Sequence, residues 1–163
     1  MTEEKQQVPE KEVELEKRTQ LHPDKLAVVL VRGLVNVSSS LKNTLKLLGL
    51  DRKNKCVVID NNPVNLGMVK KVKGYVTWGS LSDQTYKQLI EKRGEEYKGR
   101  LTDTKKKYSY NVLQFQGKYF KPYFRLNPPR KGFGRKGIKM PFNLGGGLGN
   151  REDKINDLIQ RMI

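Results

Sequence analysis

The chain has 163 residues, enough for one modest domain with extensions. Its 33 Lys and Arg against 17 Asp and Glu give a formal charge of +16, the footprint of a protein that meets a polyanion. A single cysteine, Cys56, excludes an internal disulfide, a single histidine, His22, excludes a clustered zinc site, and no apolar run approaches a membrane span.

The charge is unevenly placed. Residues 1–24 hold seven acids and four bases, which leaves 29 bases and 10 acids for the rest. From Thr104 to Arg151 there is no acid, yet twelve bases and nine of the thirteen aromatic side chains fall in that window. A merely solvated loop mixes signs, so the imbalance favours a nucleic acid as partner. A membrane surface would call for a long amphipathic helix, which this stretch lacks. The acidic N-terminus has no apolar h-region and so is not a signal peptide, which predicts a chain that stays inside the cell.

Residues 1–24 read as a mobile acidic leader, with a frayed helical turn around Val13–Lys17 and a solvated His22. LAVVLVR (26–32) is a nearly continuous apolar, β-rich strand that stops at Gly33. Ser38, Ser39 and Ser40 offer N-cap hydroxyls to a helix with Leu41, Leu45 and Leu48 on one side and Gly49 at its end. The basic turn DRKNK (51–55) leads into a second strand, CVVI (56–59), where Cys56 reads as a small buried hydrophobe. Asn62-Pro63 opens a short helix with Leu66, Val69 and Val72 inward, YVTW (75–78) is a third strand, and Ser80 or Ser82 caps a helix that Gly94 ends. Trp78 and Tyr75 close an apolar strand and read as packing groups.

Beyond Gly94 regular signals weaken. NVLQFQ (111–116) alternates as a short strand, and GKYFKPYFRL (117–126) adds an edge segment, because Pro122 argues against a central position. The end recovers: Asn150 is placed as an N-cap, with Glu152 and Asp153 in the first turn of a helix whose Ile155, Leu158, Ile159 and Met162 pack back on the domain. The expected organisation is therefore a leader over 1–24, a compact core domain over 25–94, an extended basic segment over 95–149 and a C-terminal helix over 150–163. The class is α+β, with one sheet and helices covering a face.

GFGRKG (132–137) has the spacing of a dinucleotide-binding turn, and Asp157 lies downstream. The chemistry requires a strand into the first glycine and a helix from the last, since the helix N-terminus holds the pyrophosphate. Pro128-Pro129 excludes that strand and Pro141 interrupts that helix. The glycines instead suit close backbone approach to a curved phosphate surface, with Arg130, Lys131, Arg135, Lys136 and Lys139 neutralising phosphates and Phe133 stacking on an unpaired base or plugging a groove. NLGGGLGN (143–150) lacks the Lys-Ser/Thr pair of a phosphate loop and reads as a flexible joint or a backbone contact. Arg32, the turn Arg52, Lys53 and Lys55, the cluster Lys70, Lys71 and Lys73, and Lys118, Lys121 and Arg125 extend the candidate surface, while Lys105–Lys107 is a weak, nonspecific run. No catalytic or metal constellation emerges.

Four stretches taken together, VVLVRG (28–33), LKLLGLDRKNKCVVIDNNPVNLGMVKKVKGYVTWG (45–79), KPYFRLNPPRKGFGRKGIKMPF (121–142) and LGNREDKINDLIQRMI (148–163), closely resemble the L-thirty family of large-subunit ribosomal proteins, in its longer archaeal form related to the eukaryotic L-seven proteins. The resemblance implies a small three-stranded antiparallel sheet with packed helices, like half of a ferredoxin-like fold, plus an RNA-contacting extension. It also implies no enzymatic activity and no cofactor. The implied partners are large-subunit ribosomal RNA and neighbouring large-subunit proteins, with no membrane and no small-molecule substrate. The implied place is the cytoplasm, in the large subunit. A nucleotide enzyme using GFGRKG and a DNA-compacting chromatin protein are the alternatives.

Overall fold

The computed structural model describes residues 21–163, with side-chain environments from Lys25 onward. The turn expected at Val13–Lys17 and the side chain of His22 lie outside what is described.

Strand β1 (Leu21–Leu30) is followed by helix α1 (Ser39–Leu47), β2 (Lys55–Asp60), α2 (Pro63–Lys71), β3 (Val76–Ser82) and α3 (Asp83–Arg93). The three strands form an antiparallel sheet with β1 in the middle, Lys25 to Val29 opposite Asp60 to Cys56, and Leu26 to Leu30 opposite Ser80 to Val76. β1 starts before the apolar run, since Leu21 pairs with Ser82, and the register shifts between Leu21 and Leu26.

The segment after α3 adds a hairpin, β4 (Leu113–Phe115) with β5 (Lys118–Phe120), and then two short strands that extend the main sheet. β6 (Phe124–Arg125) pairs antiparallel with β2, and β7 (Gly149–Asn150) pairs parallel with β3, giving the order β6-β2-β1-β3-β7. Pro122 correctly points to an edge position. The parallel β7 had no sequence signal, since two residues carry no period.

Alternate residues of β1 enter two different cores. Ala27 and Val29 join Cys56, Leu81, Leu89, Ile90 and Phe124 under α3 and the C-terminal helix α4 (Lys154–Met162). Val28 and Leu30 join Leu45, Leu48, Val57, Val69 and Trp78 under α1 and α2. Helices thus cover both faces rather than one, and the uninterrupted apolar character of LAVVLV follows, because no residue of a doubly covered strand faces water.

Ser82 is the cap of α3, its Oγ accepting from Thr85 N. Asn150 is not the cap of α4. Its pairing opposite Trp78 holds it in the sheet, its Oδ1 accepts from Glu152 N, Glu152 adopts φ 50, and Asp153 takes the cap position. Glu152 and Asp153 therefore precede the helix. The apolar stripe Ile155, Leu158, Ile159 and Met162 is fully buried, as its spacing requires. Gly79 makes this packing possible: a Cβ there would stand 2.1 Å from the backbone oxygen of Glu152, so only glycine lets the start of α4 lie on β3.

Candidate nucleic-acid interface

β1 finishes where β2 and β3 begin, shown by Leu30 opposite Val76 and by Asn54 N donating to Leu30 O. One end of the sheet therefore collects Arg32 after β1, Arg52 and Lys53 in the turn before β2, and Lys70, Lys71 and Lys73 before β3. β6 runs toward the same end, bringing Arg125, and Leu126 N donates to Asn54 O. β7 runs parallel to β3, so the chain that precedes it arrives at this end as well.

Three clefts open here. One of about 160 Å³ is lined by Arg52, Lys53, Lys55 and Arg125 around Tyr123 and Asp51. A second, about 470 Å³, places Lys73 with Lys139 beside Trp78 and Phe142. The third, about 490 Å³, has Lys131 and Arg135 facing Arg151, Lys154 and Arg161, with Asp157 as its acid. Phe142 lines both larger clefts, so they adjoin, and bases far apart in sequence share one surface.

The candidates differ in how free they are. Arg52, Lys53, Lys70, Lys71, Lys73, Arg130, Lys131, Arg135, Lys136 and Lys139 are exposed. Arg32 is partly anchored, donating to Gly74 O and lying over the Tyr75 ring. Lys55 is buried, paired with Asp51 and stacked on Tyr123 at 3.8 Å, and its ammonium holds the Asp51 carboxyl below the usual carboxylate range. Lys118 faces Glu96, while Lys121 and Arg125 share Glu95. A window without acids in sequence is thus not without acids in space, because Glu95 and Glu96 fold beside it.

Phe133 is half-buried and packs against the core under α4, so it is not the free base-stacking ring expected from its neighbours. The glycine turns are likewise used by the fold. Gly132 N donates to Pro129 O, Lys136 N to Gly145 O and Gly137 N to Gly134 O. The N–H groups of Gly145, Gly146, Gly147 and Leu148 all bond to backbone oxygens of residues 140 to 142. No helix starts at either glycine cluster, so neither presents the amide cradle of a phosphate loop. The flexible joint expected at 143–150 is a tight turn: a Cβ on Gly146 would stand 2.1 Å from Met140 O.

Arg151, which the sequence did not single out, locks this arrangement. It is 4 % exposed, and donates from Nε to Thr77 Oγ1 and from Nη2 to the backbone oxygens of Phe133 and Gly147. Its guanidinium lies 4.4 Å from the Phe142 ring centre. Burial pulls its pKa down to about 10, which leaves it charged at neutral pH. Arg161 adds a second clasp, donating to Arg130 O and Gly132 O. Nothing in local composition distinguishes these two arginines from the exposed ones, since their roles depend on the carbonyls that folding brings to them.

Residues 26–76 match the model of the family described as ribosomal protein L30p/L7e. Large ribosomal subunit protein uL30 of Methanopyrus kandleri is 42% identical over 149 residues, covering 82% of this chain and all of that protein. The protein of the same name from Methanococcus maripaludis is 43% identical over 84% of this chain and 98% of its own length, and that of Nanoarchaeum equitans is 41% identical over 84% and 97%.

The chain belongs to the L30p/L7e family. Membership in a family of ribosomal proteins makes it a structural protein rather than an enzyme. The family match runs from Leu26, within β1, to Val76, the first residue of β3, and so takes in Arg32, the Arg52–Lys55 turn and Lys70–Lys73. The likeness to whole relatives reaches well beyond it into the extension.

Proposed function

We propose that this family member is a structural constituent of the large ribosomal subunit that binds large-subunit ribosomal RNA through the basic end of its sheet and stabilises the RNA fold during assembly and translation. Its place is then the cytoplasm, among other large-subunit proteins. The observation that carries the reading is convergence: exposed bases from Arg52–Lys53, Lys70–Lys73 and Arg130–Lys139 meet at one end of a sheet whose faces are both occupied by helices. A surface that rigid and that predominantly basic suits recognition of RNA shape through phosphates. In the extension, the bases act from a loop already clasped to the domain, with Phe133 as its inner anchor.

The test is a gradient sedimentation of cell lysate followed by binding isotherms. The chain should travel with large subunits, and its affinity for large-subunit RNA should fall on the order of a thousandfold between low and moderate salt if six to ten phosphates are neutralised. An isotherm that hardly moves with salt would sink the reading, and equal affinity for duplex DNA would favour a chromatin role.

A further inference from the structure

Residues 101–110 form a small hairpin of their own. Thr102 bridges antiparallel to Ser109, Asp103 N donates to Tyr108 O, and Tyr110 N donates to Leu101 O. Lys106 turns the tip with φ 53, its N–H bonded to Asp103 O, so Lys105, Lys106 and Lys107 stand at the apex. On the stem, Tyr108 is 63% exposed and Tyr110 52%.

We infer that this hairpin is a second RNA-contacting element, separate from the basic end of the sheet, in which the three ammonium groups bind phosphates and the tyrosines stack on unpaired bases. The inference rests on the RNA-binding reading above and adds a site to it. A solvated loop accounts for the lysines but not for two large aromatic rings left in water beside them, whereas single-stranded RNA offers both a charged backbone and π-faces. Asp103 is the one acid of this hairpin, its carboxylate accepting from Thr104 N, and three ammonium groups leave the tip net positive. Lys107 lies 5.6 Å from the Tyr108 ring, so cation and ring are presented together.

The experiment uses the full chain and large-subunit ribosomal RNA, with the triple substitution K105Q/K106Q/K107Q, the double Y108A/Y110A, and R130E/R135E/K136E as a marker of the other surface. The lysine variant should lower the slope of log affinity against log salt by about two to three, and K105R/K106R/K107R should restore it. The tyrosine variant should lose roughly tenfold or more in affinity, and Y108F/Y110F should keep it. Circular dichroism matching the unmodified chain excludes misfolding as the cause. If both hairpin variants bind like the unmodified chain while the marker variant is weak, the second element is overturned and the proposed function stands. If the unmodified chain itself shows no preference for this RNA over duplex DNA, the proposed function falls. Normal RNA binding with failed entry into the subunit would also overturn the inference, in favour of an acidic protein neighbour at the hairpin.

Discussion

Nη2 of Arg151 lies 2.6 Å from the backbone oxygen of Phe133, and this contact ties a basic loop to the edge of the sheet. The same guanidinium reaches Thr77 on β3 and Gly147 in the glycine cluster, so one buried cation fixes three segments. Replacing it by Met should cost about 2–4 kcal/mol, because the acceptors stay buried without a donor. Urea unfolding reads the loss, and limited proteolysis should cut faster within Arg130–Lys139. Arg151→Lys should not restore stability, since a single ammonium lacks the planar fork that serves acceptors on different sides.

Gly79 and Gly146 should be the least tolerant glycines. A methyl group at either would stand 2.1 Å from a backbone oxygen, of Glu152 and Met140 respectively. Backbone cannot yield as a side-chain tip does, so Gly79→Ala should cost about 3 kcal/mol, at the upper end of overpacking effects, and lower Tm by roughly 6–12 °C. Gly33→Ala, with open space around it, is the control and should be near neutral by calorimetry.

Reversing Arg130, Arg135 and Lys136 to Glu should leave the domain folded, because these side chains are exposed while the anchors of their loop are Phe133, Arg151 and Arg161. Thermal melting should move by less than about 1 kcal/mol-equivalent. Affinity for large-subunit RNA should fall at least a hundredfold, and the variant should fail to enter large subunits. Normal incorporation would mean that the contact surface lies elsewhere.

Glu95 provides a pH signature. Its carboxylate accepts from Lys121 Nζ at 2.7 Å and faces Arg125, and the bond to Lys121 holds its carboxyl below the usual carboxylate range. A depressed folded pKa means that the stabilisation is present above the unfolded value and is lost as pH falls through the folded one. Protection factors against hydrogen exchange at Tyr97 and Lys121, whose N–H groups bond to Tyr119 O and Glu95 O, should therefore fall more on acidification below about pH 4.5 than they do in Glu95→Gln.

Cys56 should be silent to thiol reagents in the folded chain. It is fully buried between β1 and β6, and burial pushes its thiol pKa up to about 12, so neither access nor thiolate is provided. A chromogenic disulfide should react only as the protein unfolds in denaturant, and fast reaction under native conditions would contradict the core described.

The main elements of the core were readable from residue order, because each rests on local chemistry. Apolar β-branched runs made β1, β2 and β3, Pro63 and Ser82 opened helices, Gly49 and Gly94 closed them, and the 3.6-residue stripe of α4 named its buried side. The surplus of positive charge, and the quoted stretches that resemble a ribosomal-protein family, were readable in the same way. The failures came where a partner distant in sequence decides. Asn150 looks like a helix cap until β3 draws it into the sheet, Phe133 looks free until α4 supplies a core for it, and Lys55, Lys118 and Lys121 look like open cations until Asp51, Glu96 and Glu95 fold beside them. Charge and period belong to the chain itself, whereas burial, pairing and the gathering of bases at one end of a sheet depend on three-dimensional proximity, which only the antiparallel register of β1, β2 and β3 creates.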